Sequence, residues 1–314
     1  MIPNGVSVVI PNFNGKGLLE QNLPTVAAAL KTLSIPSEII VSDDASTDDS
    51  LVFLADQYPG IHVLKSPRNS GFSANINRGI HQAQYDLCLL LNSDVWLSAD
   101  FFQSLLTHFE DDRVFGVQAN ILHPETEITQ DGAKVPALSL SGIKATSNAL
   151  GNHPKLTTFF LSGAAALVRS DYLRQLGGFD EVYSPFYFED VDLGIRAWRS
   201  GWVCLFDQQA KCYHPLSVTI KSHHKLGYIR EITRRNKLIL NHLHLDGWRR
   251  TVWMVNSRLH FAAAFLTGRK KKINAFLAYK LLLKNYTFKS YAFSLSAVIP
   301  RIKAGLEPHI TRVF

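Results

Sequence analysis

Cysteine is scarce in this 314-residue chain, and Cys88, Cys204 and Cys212 form no pair with metal-binding spacing. We therefore expect buried, reduced thiols, which favour the cytoplasm over an oxidising compartment. No apolar run reaches the ~18 residues expected of a membrane-spanning helix. The first residues carry no basic segment of the signal-peptide type, so we expect no secretory leader.

Two phosphate-binding motifs are also missing. There is no Gly-x-x-x-x-Gly-Lys-Ser/Thr loop and no Gly-x-Gly-x-x-Gly after the first strand pattern. The main sequence signals of a P-loop ATPase and of a dinucleotide-dependent dehydrogenase are therefore missing. No RNA- or DNA-binding motif is present either, which argues against a nucleic-acid partner. With 46% hydrophobic and 19% charged residues, the composition is nevertheless that of a folded globular protein.

Acidic and basic residues are divided unevenly along the chain. Residues 221–314 contain 19 Lys and Arg against 3 Asp and Glu, a net charge of +16, whereas residues 1–220 contain 14 against 23, a net charge of −9. An acidic body followed by a basic C-terminal segment indicates two different roles.

Strand and helix patterns alternate through the first half of the chain. β-Branched runs at 6–10, 39–42 and 61–64 and an apolar run at 85–91 alternate with helical patterns, of which 18–33 and 71–83 are the clearest. This order predicts an α/β fold with a mostly parallel central sheet. Ligands bind such sheets where the strands end, so the polar exits at 11–15, 43–49 and 92–94 are expected to converge on one crevice.

The second half is less regular. Residues 123–157 are rich in Pro, Gly, Ser, Thr and Asn and read as a long loop, either a functional wall or lid or a segment with no function. Residues 158–169 are expected to form a buried strand, 171–176 a short helix and 202–206 a further strand.

An acidic helix start carries the strongest chemical signal. Glu189, Asp190 and Asp192 open an amphipathic pattern that follows the aromatic run at 183–188. Acids at a helix N-terminus are favoured by the helix dipole, which is one explanation for them. However, a helix start needs no aromatic run, and desolvation among aromatic rings raises a carboxyl pKa towards the range of a general base.

Taken together, the motifs make the chain resemble the inverting nucleotide-diphospho-sugar glycosyltransferases of family 2, and in particular their rhamnosyltransferase-like branch. The resemblance spans about residues 5–215 and rests on segments in the family's order: VVIPNFNG (8–15), IIVSDDASTD (39–48), NSGFSANINRG (69–79), LNSD (91–94), and GFDE (178–181) through FEDVDL (188–193). It implies the GT-A fold over residues 1–220, with a donor-binding half at about 1–120 and an acceptor-binding half at about 121–220. Residues 221–314 would then form a basic helical extension.

The resemblance also implies roles for individual residues. Asp190 would be the catalytic base and Glu189 would shape the acceptor pocket. Asp94 would ligate Mg²⁺ or Mn²⁺ against the donor diphosphate, with His214 completing that site, and Asn92 stands where the general DxD pattern has Asp. The residues that it places at the donor are Pro11, Asn12, Asp43, Asp44, Gly71, Asn75, Asn92, Ser93 and Asp94.

Several alternatives stay open on the residues alone. Asn92 and Asp94 can equally cap the next helix, and His214 can be an ordinary loop histidine. The stripe formed by Trp248, Val252, Val255, Leu259, Ala262 and Leu266, followed by the basic cluster 269–272, fits either packing on the catalytic body or contact with an anionic membrane on its cytoplasmic face. The predicted activity is transfer of a sugar from a nucleotide-diphosphate donor to a glycan or lipid-linked glycan in bacterial surface-polysaccharide synthesis. A sugar nucleotidyltransferase and a non-catalytic glycan- or nucleotide-binding protein are the rivals.

Overall fold

A computed structural model of the chain describes residues 3–151, 153, 155–214 and 225–313. Four parallel strands, connected through helices, form one half of its central sheet. In chain order these elements are β1 (Val6–Asn12), α1 (Lys16–Leu30), β2 (Ser37–Asp43), α2 (Ser50–Gln57), β3 (His62–Lys65), α3 (Phe72–Gln82) and β4 (Leu87–Leu91). The strands lie side by side in the order β4-β1-β2-β3. Asn12 is in register with Asp43, so the polar ends of β1 and β2 meet at one edge.

The other half of the sheet continues from β4 in the order β11-β6-β12-β10. β11 is antiparallel to both neighbours, whereas β6 and β12 are parallel. The elements are β5 (Trp96–Leu97), α4 (Phe101–Leu105), β6 (Val114–Leu122), β7 (Thr129–Asp131), β10 (Lys155–Thr157), β11 (Ala165–Arg169), α5 (Ser170–Leu176), α6 (Glu189–Arg199) and β12 (Val203–Tyr213), with 3₁₀ helices at Leu106–Glu110 and Glu181–Tyr183. The predicted α/β fold with a mostly parallel central sheet is confirmed.

The prediction of a long loop over 123–157 is wrong. This stretch supplies β7 and β10 to the central sheet, and it also forms a hairpin of β8 (Ala133–Ser139) and β9 (Gly142–Gly151). β13 (Ile310–Val313) joins β9 to complete a second sheet. Polar, Pro-containing composition suggested a loop, but the strands are stabilised by partners far away in sequence, and Pro136 lies at an irregularity in the pairing, where a strand tolerates proline. The strand expected over 158–169 begins only at Ala165.

The C-terminal region is helical, as predicted. It contains α7 (Leu226–His244), α8 (Gly247–Leu266), α9 (Lys270–Leu282) and α10 (Leu295–Ala304), with a 3₁₀ helix at Glu307–His309. Ile239, Trp253, Phe276 and Val298 belong to the same buried cluster as Trp198 of α6. These helices therefore share a hydrophobic core with the sheet. The predicted boundary at about residue 220 lies outside the described residues.

Candidate active site

The ends of β1 and β2 are joined by hydrogen bonds between buried side chains. Asn12 Nδ2 donates to Asp43 Oδ2 at 2.8 Å, and Asp43 Oδ1 accepts the backbone N–H of Ser46 at 2.9 Å. Pro11, one residue before Asn12, is partly exposed at the same edge. Asn12 Oδ1 is buried and has no hydrogen-bond partner within the described chain. A buried acceptor without a partner carries a desolvation cost, which a donor group of a ligand can offset.

The carboxylate of Asp44, by contrast, accepts hydrogen bonds from other residues of the chain. Its carboxylate accepts the backbone N–H groups of Ser70 and Gly71 at 2.9–3.0 Å and lies 3.3 Å from Arg78 Nη2. Arg78 Nη2 also donates to Asn75 Oδ1 at 2.6 Å, and Asn75 Nδ2 donates to the Asn12 carbonyl at 3.3 Å. Gly71 has φ +86°, a left-handed conformation that suits glycine. The structure thus brings the predicted donor residues of β1, β2 and α3 into one connected network.

Asp94 and His214 come together from distant parts of the chain. Asp94 Oδ1 lies 3.2 Å from His214 Nε2 at the end of β12. The segment before Asp94 is fixed by two hydrogen bonds: the Asn92 N–H donates to the Ala164 carbonyl at 3.0 Å, and Asn22 Nδ2 donates to the Ser93 carbonyl at 2.8 Å.

This pair fits a divalent cation whose remaining ligands come from substrate. Over the residues that the structure describes, no group of three or more His, Cys, Asp and Glu side chains could hold a metal ion. A carboxylate oxygen and an imidazole nitrogen would instead provide two ligands, and Mg²⁺-type sites commonly obtain the rest from phosphate oxygens and water. The donor set therefore suits a metal–diphosphate site better than a permanent structural metal site.

Glu189 and Asp190 form the first turn of α6. The preceding residues Tyr187 and Phe188 both have positive φ, 72° and 76°, so the backbone turns sharply into the helix. Asp190 Oδ1 accepts the N–H of Val191 at 2.8 Å. Glu189 is 8% exposed, and its Oε2 has no partner within the described chain.

Burial raises the pKa of both carboxyls, and their different neighbours separate the two values. Desolvation, followed by the neighbouring charge of Asp190, raises the pKa of Glu189 to about 8. Desolvation also raises the pKa of Asp190, but the Val191 N–H and the positive charge of Lys134 oppose it, and the value is about 6. These shifts favour a proton on Glu189 over a proton on Asp190. Two adjacent carboxyls with separated pKa values can act as a hydrogen-bond donor and a base.

Lys134 of β8 is a member of this site that sequence reasoning missed. Its ammonium donates to the Gly132 carbonyl and to Asn148 Oδ1, both at 2.8 Å, and pairs with Asp131. Burial lowers the pKa of Lys134 to about 7, and the charge of Asp190 opposes that shift. No motif marks this lysine, and the only sequence signal is a cation within a short apolar stretch.

The C-terminal region fixes the backbone that leads into Glu189. Asn236 Nδ2 on α7 donates to the carbonyls of Tyr183, Phe186 and Tyr187 at 2.6–2.9 Å. Arg235 Nη2 also donates to the carbonyls of Tyr183 and Ser184. The sharp turn before α6 is thus held from α7, a contact that the sequence did not indicate.

A second contact between α6 and α7 consists of buried charged side chains. Asp192 accepts from Arg196 Nε at 2.6 Å, and His244 Nε2 lies 2.7 Å from its other oxygen. Tyr183 donates its hydroxyl to Asp192 at 3.2 Å, and Arg196 also donates to the carbonyls of Leu176 and Gly178. The third acid of the predicted motif therefore orients α6 rather than facing the cleft.

Much of the chain is similar to known proteins. The family model described as Glycosyl transferase family 2 matches residues 7–177, more than half of the chain. N-acetylglucosaminyl-diphospho-decaprenol L-rhamnosyltransferase of Mycobacterium tuberculosis is 26% identical over 256 residues, covering 71% of this chain and 82% of that protein.

Two solved structures share the fold. GalNAc-T7 with UDP, GalNAc and Mn²⁺ has a TM-score of 0.64 at 16% identity, covering 90% of this chain and 56% of that one. S. aureus TarS 1-349 in complex with UDP-GlcNAc has a TM-score of 0.58 at 16% identity, covering 96% of this chain and 84% of that one.

Proposed function

The chain belongs to glycosyl transferase family 2 and is a transferase, and we propose that it moves a sugar, with inversion, from a nucleotide-diphosphate donor to a lipid-linked glycan. The observation that carries this proposal is the buried carboxyl pair at the start of α6, where Glu189 Oε2 has no partner within the described chain and Asp190 Oδ1 accepts the N–H of Val191. A nucleotide sugar is supported by the UDP-GlcNAc bound in the TarS structure. A lipid-linked acceptor is supported by the mycobacterial relative, whose name specifies a diphospho-decaprenol glycan.

The proposed reaction is a single displacement. Asp190 accepts the proton of the acceptor hydroxyl as that oxygen forms a bond to the anomeric carbon. The bond between the anomeric carbon and the donor diphosphate breaks at the same time, and the electron pair leaves with the nucleoside diphosphate. Attack from the face opposite the leaving group inverts the anomeric configuration, by the geometry that inverting glycosidases use. Protonated Glu189 would donate a hydrogen bond to the acceptor sugar.

The donor would lie along the ends of β1, β2 and β4. In this proposal, Asn12 Oδ1 and Asp43 face the nucleoside, with Pro11 beside them, while Asp44, Gly71 and Asn75 hold the shape of the pocket. Asp94 and His214 would hold Mg²⁺ or Mn²⁺, which supplies positive charge for the leaving diphosphate. We also propose that residues 1–120 form most of the donor side, that 121–220 form the acceptor side, and that 221–314 are an extension built onto both.

Contact with a membrane is proposed from the exposed face of α8. Trp253 and Ala264 are the buried residues of this 20-residue helix, whereas Leu259, Phe265 and Leu266 are 63%, 67% and 85% exposed. The basic cluster at 269–272 follows directly. No helix within the described ranges is long and apolar enough to cross a membrane. An apolar face with adjacent cations suits peripheral attachment to anionic lipid, which we place on the cytoplasmic side.

Asp190→Asn tests the proposed chemistry. This substitution keeps the size of the side chain but removes the base, so turnover should fall about 100-fold or more while donor binding stays close to wild type. Turnover is measured as nucleoside diphosphate released with acceptor present, and donor binding by calorimetry.

The matched control is Glu189→Gln, which resembles the protonated carboxyl. Its loss of turnover should be at least about tenfold smaller than that of Asp190→Asn. Near-normal turnover in Asp190→Asn, or equal losses in the two variants, would contradict the assignment of the base.

A further inference from the structure

A cavity of about 410 Å³ lies among α7, α8, α9 and the tip of the β8–β9 hairpin, apart from the residues assigned to the reaction. Aromatic rings of Trp253, Phe261 and Phe276 contribute to its wall. Arg234, Lys237 and Lys272 line it as well, and no carboxylate does. Its lining therefore combines an apolar surface with three positive charges.

The three cations have no acidic partner in the described part of the chain. None of the ion pairs found there includes them. Beyond α7 the sequence is also one-sided, because residues 247–306 contain 12 Lys and Arg and no Asp or Glu, whereas α7 itself contains one acidic residue, Glu231. Clustered charges of one sign around a concave apolar surface raise the local concentration of ligands of opposite charge.

Exposed apolar side chains also lie outside the cavity on the same two helices. Leu259 of α8 and Leu277 of α9 are neighbours in sequence of the lining residues His260 and Phe276, and they are 63% and 53% exposed. Leu281, one turn further along α9, is 73% exposed. A ligand with an anionic group and a long apolar chain matches both the cavity and this exposed surface.

Two elements connect the cavity to the proposed base. On α7, Lys237 lines the cavity and directly follows Asn236, which holds the Tyr187 carbonyl two residues before Glu189. On β8, the positive charge of Lys134 lowers the pKa of Asp190. Leu140, just past the other end of that strand, lines the cavity. Lys134 and Leu140 are six residues apart, which corresponds to about 20 Å along an extended strand. A short glycan attached to a diphosphate is the kind of molecule that can bridge such a distance.

We propose that this cavity binds the lipid-diphosphate end of the acceptor. Arg234, Lys237 and Lys272 would bind the diphosphate, and the three aromatic rings would contact the first part of the lipid chain. The inference rests on the proposed function and extends it, because it assigns recognition of the acceptor to its lipid anchor as well as to its sugar. The α8 face would then contact the membrane in which the remaining chain lies.

The first experiment measures binding without catalysis. Farnesyl diphosphate in non-ionic detergent is the probe, with farnesol and inorganic diphosphate as partial ligands. The wild type should bind farnesyl diphosphate at least about tenfold more tightly than either, since each partial ligand lacks one half of the contacts. Lys237→Gln combined with Lys272→Gln should weaken that binding about tenfold or more, because hydrogen bonds to charged groups are lost.

The matched control removes two cations outside this cavity, Lys280 of α9 and Lys284 just beyond the end of that helix, as Lys280→Gln with Lys284→Gln. These residues do not line the cavity, so farnesyl diphosphate binding should stay within about twofold of wild type. Equal losses in the two double variants, or farnesyl diphosphate binding no tighter than inorganic diphosphate, would overturn the proposed site in favour of a general electrostatic attraction.

Kinetics distinguish failure of this inference from failure of the proposed function. With a prenyl-diphosphate-linked glycan, the Lys237→Gln/Lys272→Gln variant should show a KM raised about tenfold or more, whereas its KM for the same glycan without lipid and phosphate should stay at the wild-type value. If the variant transfers sugar with unchanged KM for both acceptors, the assignment of the cavity is refuted while the proposed function stands. Tight probe binding by a wild type that transfers no sugar would refute the proposed function while the cavity assignment stands.

Discussion

Asp192→Asn tests whether the junction between α6 and α7 supports the fold around the proposed base. Asp192 and Arg196 are each 1% exposed, and His244 is 2% exposed. The substitution keeps the shape of the side chain but removes its negative charge. The Arg196 guanidinium would then remain buried beside a neutral amide. The amide oxygen and the carbonyls of Leu176 and Gly178 can still accept from it, but none of them carries a compensating negative charge.

The expected cost follows from the pKa of Asp192. Burial alone would raise it, but the charge of Arg196 and the hydrogen bond from His244 lower it from the ordinary 3.8 to about 2. At about 1.4 kcal/mol per pH unit, this difference corresponds to roughly 2–3 kcal/mol of stabilisation at neutral pH. Removing one member of a buried ion pair costs about 3–5 kcal/mol. We expect the free energy of unfolding to fall by about 3 kcal/mol.

The pH at which the loss is measured matters because the folded-state pKa is depressed. The contribution of the Asp192 charge is complete above the pKa of the unfolded state, near 4, and is lost only as the pH falls towards about 2. Urea unfolding at pH 7.5, followed by tryptophan fluorescence, therefore reports the full effect. Asp112→Asn is the control, because Asp112 is 77% exposed in its ion pair with Arg169 and should cost less than about 1 kcal/mol. An equally small loss in Asp192→Asn would refute the reasoning.

Three further predictions concern activity and attachment. Asp94→Ala should weaken nucleotide binding in Mn²⁺ and remove its metal dependence; wild-type activity that a chelator leaves unchanged would contradict the metal proposal. Because Asp190 must be ionised to accept a proton and its pKa is about 6, kcat should fall as the pH decreases through that value, approaching tenfold per unit below it; a rate that stays constant down to pH 5 would exclude Asp190. Replacing all four residues of 269–272 by Gln should release the protein from anionic vesicles at low salt while activity is retained on a soluble glycan without lipid and phosphate, to which Lys272 makes no proposed contact; a wild type that does not bind such vesicles would exclude the membrane contact.

The proposed donor side of the fold could be predicted because its signals are local. Buried strands, each ending in polar residues, determine both the order of the elements and the edge at which Asn12, Asp43 and Asp94 gather. The sequence did not, however, distinguish Asp43 from Asp44. Both follow the same strand, yet Asp43 bonds to Asn12 while Asp44 accepts backbone N–H groups at 70–71. That difference depends on the position of the loop at residues 70–71, which approaches Asp44 only in the folded chain.

The surroundings of the proposed base could not be predicted, because their contacts join residues distant in sequence. The Tyr187 carbonyl is 49 residues from Asn236, which holds it, and the strand that carries Lys134 pairs within a sheet completed only by residues 310–313. Composition is a local property, so a polar, Pro-containing stretch reads as loop whatever partner lies opposite. The resemblance to family 2 indicated Glu189 and Asp190 but gave no sign of the side chains that set their environment.

α7 shows why the basic C-terminal region belongs to the proposed site even though the family match ends at residue 177. One face of this helix holds the turn before Glu189 through Asn236, and its end places His244 against Asp192. Between these two residues, Lys237 lines the cavity assigned to the acceptor lipid. A ligand that orders α7 at the cavity therefore acts on the same helix that positions the start of α6. Binding of the lipid diphosphate and alignment of Asp190 would then be coupled through one rigid element, so acceptors that lack the lipid should react with a lower kcat as well as a higher KM.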